Sequence, residues 1–224
     1  MPASSESRII YPLSRNLSWN FAGQILAKFS LLLFHILFAN LVGAKGYGEF
    51  SFVFVAGVII LQPSLDMGLN QLITKWVSRG NTEVIRNSFQ IKSRVSVVLL
   101  PLVILLGWWH EIHPILLGTI LIYFLINTIQ QSLFGILRGL EDLRPESITV
   151  ALQNLLALTV LWIFFNHEIN EPWVGSLVLM LTRCAGTILV TGIIWKKYLL
   201  KLNNYEHSKT LQSTSNLWQE ALTL

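Results

Sequence analysis

Lys28 stands in the middle of NFAGQILAKFSLLLFH (20–35) and Arg183 in the middle of LVLMLTRCAGTILV (177–190), two stretches otherwise made for lipid. A charged side chain at a bilayer centre costs about 3 kcal/mol on insertion scales, so each cation needs water, a counter-charge or a ligand. Lys28 lies roughly 16 Å by helical rise from the nearer end of its apolar block, too far for one side chain to reach the headgroups. An ammonium and a guanidinium that share a wet cavity suit an anion, which they would hold through charge-assisted hydrogen bonds.

Other polar residues follow the same helical period. Asn20, Gln24, Lys28 and His35 fall within about an 80° arc. Gln62, Asp66 and Asn70 share a face in a second block, Asn127, Gln131 and Arg138 in a fourth, and Ser176, Arg183, Thr187 and Thr191 in a sixth. Facing lipid, such stripes would lose their water without gaining partners, so they must face one another or a hydrated cavity. The candidate binding residues are therefore Lys28, Arg183, Gln24, His35, Asn127 and Gln131. For His35 a packed, hydrogen-bonded place in the core is favoured over a ligand role. Asp66 is expected to play a structural or coupling part, as the ion-pair partner of Lys28 or Arg183. Gly57, Gly68, Gly135 and Gly186 read as close-packing points between helices, and Pro63 and Pro101 as kinks.

The elements that must position these residues are plain from composition. The chain has 224 residues, 53% hydrophobic and 12% charged, against about 25% charged in a soluble domain. Six apolar blocks, near 17–42, 48–73, 95–110, 114–137, 147–166 and 172–195, are each long enough or nearly so to cross the hydrocarbon core. The first is too long for a signal-peptide core and is read as a retained span. The expectation is an all-α membrane protein, a bundle of six transmembrane helices. Of 16 Lys and Arg, thirteen fall at the N-terminus or in the connections 75–94, 137–147 and 195–201 and beyond; only Lys45 falls in the alternate connections. The positive-inside rule then puts both termini in the cytoplasm. Trp19, Trp76, Trp108, Trp109, Trp173 and Trp195 fall near span ends, as an aromatic belt requires.

Several classes drop out. The charge of +4 belongs to helix ends beside anionic lipid and does not suggest nucleic acid. Cys184 is the one cysteine, so no intrachain disulfide forms, and it has no evident activating base. His110, Glu111 and His113 read as solvated loop residues rather than metal ligands, and no metal or cofactor is expected. Neither G-x-S-x-G, H-E-x-x-H nor G-x-x-x-x-G-K-[ST] occurs, so transport or scaffolding is favoured over catalysis.

The segment ANLVGAKGYGEFSFVFVAGVIILQPSLDMGLNQLITKWVSR (39–79) carries Leu41 and Gly43, Tyr47 and Gly48, Phe50, and Asp66, Gly68 and Leu69. In this pattern, and in GILRGLEDLRP (135–145), the chain resembles the polysaccharide-unit (O-antigen-type) flippases of the multidrug/oligosaccharidyl-lipid/polysaccharide exporter superfamily. The likeness runs through residues 14–195. It implies two six-helix lobes around a central cavity, of which residues 1–195 would be the N-terminal one. It also implies an anionic lipid-diphosphate-linked oligosaccharide as cargo in the bacterial inner membrane, and coupling to an ion gradient or the membrane potential. Basic residues line the cavity of such flippases, and Lys28 and Arg183 match that role by depth and helix. Residues 196–224 would form a cytoplasmic linker and the start of a seventh helix. The second lobe, or polysaccharide-assembly proteins, would then be partners alongside membrane lipid. A cation-coupled multidrug exporter lobe and an inactive remnant or assembly partner are the alternatives.

Overall fold

A computed structural model describes residues 13–80, 83–166 and 171–196, with side chains from Asn20 onward. The described residues contain helices and turns but no strand. Helix α1 spans Leu13–Ala56, α2 Gln62–Asp66, α3 Leu69–Val77, α4 Glu83–Trp109, α5 Pro114–Gly139, α6 Arg144–Asn166 and α7 Pro172–Ile194.

Five helical stretches are long and apolar enough to cross a bilayer, and the first of them, Asn20–Asp66, has 47 residues. It supplies two crossings because it folds back at Gly43, whose φ of 71° and ψ of 176° lie outside helical space and suit a residue without Cβ. The rings on either side prove the reversal. His35 and Phe54 have centroids 6.3 Å apart, and Phe38 and Phe50 5.0 Å. In a straight helix residues 35 and 54 would be separated by roughly 28 Å. The six expected crossings are thus present as an all-α membrane bundle, although the expected 43–49 connection shrinks to a single non-helical residue.

The second crossing is discontinuous. A π-helical turn, Gly57–Leu61, leads into α2, and Gln62 N–H bonds back to Gly57 O. Pro63 follows at the start of α2 and has no N–H to return to the preceding turn, which favours the wider winding. Then Met67 (φ 45°) and Gly68 (φ 74°) adopt left-handed conformations and separate α2 from α3. Gly68 is therefore a conformational glycine: a Cβ there would meet nothing within 4 Å, contrary to its expected packing role. Gly57, Gly135 and Gly186 do pack closely. A Cβ on Gly57 would lie 2.2 Å from Phe124, and one on Gly135 3.1 Å from Asn70 O. One turn further on, a Cβ on Gly139 would lie 2.8 Å from Thr74 O, so α5 offers α3 a small-residue track of the kind membrane helices use for close approach.

Helix α4 begins at Glu83 rather than near 95, because polar residues expected to form a connection dock as its first turns, with Ser88 and Lys92 buried. It continues through Pro101 without a break. Helix α5 is the most buried crossing and α4 the least. Helix α5 packs on α7 and α3, and α6 on α1 and α7. Phe34, Phe38, Phe50, Phe124, Leu116, Leu161 and Val174 fill the main core. Phe21, Phe29, Val98, Trp108, Trp109 and Ile188 are exposed, as the outer surface of a membrane bundle requires.

Candidate functional site

Two of the expected polar stripes meet. Gln62, Asp66, Asn70 and Gln71 from the broken second crossing face Asn127, Thr128, Gln131 and Arg138 of α5 across a cleft of about 170 Å³. The helix break builds one wall. With α2 ending at Asp66 and α3 starting at Leu69, Asp66 Oδ1 accepts a hydrogen bond from Asn70 N–H at 3.3 Å.

Behind that wall lies a residue the sequence reading placed in a connection. Lys92 of α4 is 4% exposed. Its Nζ donates to Asn70 Oδ1 and Ser132 Oγ, both at 2.7 Å, and sits 3.6 Å from Asp66 Oδ1. Asp66 thus pairs with Lys92, not with the expected Lys28 or Arg183. The signal was available: Ser88, Lys92 and Ser96 recur at four-residue spacing, the mark of one helix face. At the other end of the cleft, Arg138 donates from Nε and NH2 to both carboxylate oxygens of Glu146 on α6, a fork-to-carboxylate pair. Glu146 is 5% exposed. The expected net-positive interior is not found in this cleft, since each cation in or behind its walls has a carboxylate.

Arg183 forms a second, separate cluster. It is half-buried, lies 5.6 Å over the Tyr123 ring, and donates from NH1 to Gln130 Oε1 at 3.1 Å and Gln153 Oε1 at 3.2 Å. Gln130 and Gln153 are buried, and their Nε2 atoms have no hydrogen-bond partner among the described residues. Gln131 is the expected binding residue, but its neighbour Gln130, a 100° turn away, is the one that meets Arg183, while Gln131 faces the cleft. The amide pair Gln153–Asn154 in an otherwise apolar block was the missed signal for the fifth crossing.

Lys28 is exposed on α1 and touches neither cluster. Its neighbour Ala27 nevertheless packs on the same turn of α6 that reaches Arg183. Asn154 Nδ2 donates to Ala27 O at 2.8 Å, and Gln153, the preceding residue of α6, accepts from Arg183; consecutive helical residues differ in height by only about 1.5 Å. Gln24 is half-buried on the same helix. His35 sits apart from all of these, its Nδ1 3.3 Å from Tyr47 Oη, among the rings of Phe34, Phe50 and Phe54. The expected linker and seventh-helix start, 196–224, lie outside the described residues except for Lys196.

These features define a multi-pass all-α membrane protein with polar groups gathered inside the bundle at a broken helix. The chain belongs to the polysaccharide biosynthesis protein family, whose model matches residues 13–224. Comparison with curated proteins and with solved structures found no match.

Proposed function

We propose that this chain is a lobe of a flippase that moves a lipid-diphosphate-linked oligosaccharide across the bacterial inner membrane for surface polysaccharide synthesis. Family membership supports the polysaccharide setting. The observation that carries the anionic cargo is the unequal treatment of the intramembrane cations. Lys92 and Arg138 each have a carboxylate partner. Among the described residues Lys28 and Arg183 have none, and Arg183 is held by neutral groups, two amide oxygens and the Tyr123 ring. Two un-neutralised cations within the crossings of a membrane bundle offer a diphosphate the charge-assisted bonds that replace its hydration. Lipid tails stay in the bilayer, and rocking against a second lobe exposes the site to either side.

The cytoplasmic placement of both termini rests on the distribution of basic residues. Gln24 is assigned to the same face as Lys28, and His35 to the aromatic packing beside it. A cationic-drug exporter is not favoured, because the Asp66 carboxylate is already taken by Lys92. Nor is an enzymatic role: the carboxylates, cations and amides described above form binding arrangements, with no nucleophile beside a base.

The test is deletion of the gene in its own cell, followed by complementation with wild type, Lys28→Ala and Arg183→Ala at matched expression. Deletion should deplete surface polysaccharide and build up the lipid-diphosphate-linked precursor. Each variant should restore roughly a tenth or less of wild-type flux, for about 1.5–3 kcal/mol lost per charged hydrogen bond. Full restoration by both variants, or no precursor build-up on deletion, would overturn the reading.

A further inference from the structure

We infer that the cleft between α2, α3 and α5 is a binding subsite for a neutral, hydroxyl-rich ring, a single sugar residue, separate from the cationic site at Arg183. This rests on the flippase reading for the source of the sugar, but on the cleft alone for its chemistry. The charges around the cleft are spoken for: Lys92 by Asp66, Arg138 by both oxygens of Glu146. An anionic ligand would find both cations already neutralised and would lie beside the Asp66 carboxylate, a like charge on the cleft wall. What remains on offer is amide. Gln62, Gln71, Asn127 and Gln131 line the space, and no hydrogen bond engages their side chains among the described residues.

A primary amide presents two donors and a two-lone-pair acceptor. Sugar hydroxyls, each both donor and acceptor, are the complementary chemistry. A purely structural role would leave the amides bonded to one another or to backbone, as Asn154 is to Ala27 O. Instead four of them turn toward a common space. Its volume of about 170 Å³ far exceeds the ~10–15 Å³ that one water needs, so the space admits a small ligand and not merely a bridging water. Arg138, at the end of α5, puts the cleft near the face that the positive-inside rule makes cytoplasmic, the side from which a lipid-linked sugar would be loaded.

The experiment uses the full chain in nanodiscs with Cys184→Ser, so that a thiol introduced by Gln131→Cys is the single labelling site. Maleimide labelling is timed alone, with a panel of neutral methyl glycosides at high millimolar concentration, and with inorganic pyrophosphate. Binding is read in parallel by ligand-observed NMR on the chain without the introduced thiol. At least one glycoside should slow labelling about threefold or more, and Asn127→Ala should weaken its binding about five- to tenfold. Pyrophosphate should leave the labelling rate unchanged. Protection by pyrophosphate alone would make the cleft an anion site and overturn the proposal. So would the absence of protection by every glycoside, or glycoside binding indifferent to Asn127→Ala. Precursor build-up on gene deletion is scored separately: glycoside protection without build-up would sink the flippase reading while leaving the subsite standing, and the reverse result would do the opposite.

Discussion

Breaking the Lys92–Asp66 pair tests whether it behaves as a coupled unit. The two charges are 3.6 Å apart, with side-chain exposures of 5% for Lys92 and 35% for Asp66. At an effective dielectric near 20 their gross attraction is about 4–5 kcal/mol. Desolvation of Lys92 and the solvent screening of Asp66 reduce the net coupling to about 1–2 kcal/mol. The single substitutions should be unequal. Lys92→Met leaves Asp66 facing the cleft with the Asn70 N–H still donating to it, and Ser132 Oγ still bonded to Asn70 Oδ1 and Thr128 O. Its loss should be about 2 kcal/mol. Asp66→Asn strands an ammonium that is almost wholly buried, and should lose about 3 kcal/mol. The double variant removes both charges and should lose about 1–2 kcal/mol less than the sum of the singles. The assay is equilibrium unfolding of the full chain in mixed micelles, read by tryptophan fluorescence. Strict additivity, or an Asp66→Asn variant as stable as wild type, would refute the reasoning.

Three further expectations rest on the same asymmetries of burial and space. At the other end of the cleft Glu146 is buried and Arg138 half-exposed, so Arg138→Met should destabilise more than Glu146→Gln by about 1–2 kcal/mol, measured by the same unfolding assay; the reverse order would contradict the assignment. A Cβ at Gly186 would fall 1.5 Å from Gln153 Nε2, so Gly186→Ala should displace Gln153 from Arg183 and lower complementation flux at unchanged expression. Gly57→Ala, which presses on Phe124 instead, should lower the unfolding free energy by about 1–3 kcal/mol through overpacking with less effect on flux per folded molecule.

Taken alone, the sequence determined the class of this protein and where its crossings run. The six apolar blocks reappear in place because hydropathy and helical period are local properties, and α5, α6 and α7 match their expected bounds closely. The stripes were legible too: that Gln62, Asp66 and Asn70 would share a face, and Asn127, Gln131 and Arg138 another, follows from angle alone. Which stripe meets which was not legible, because that depends on how helices far apart in the chain pack. Only the fold puts Lys92, an ordinary basic residue in a polar run, beneath α3 and against Ser132 of α5. It likewise chooses Gln130 over Gln131 for Arg183, and among the described residues leaves Lys28 without a carboxylate while giving Arg138 one. Charge identity is written residue by residue, but neutralisation belongs to pairs, and only tertiary packing decides the pairs.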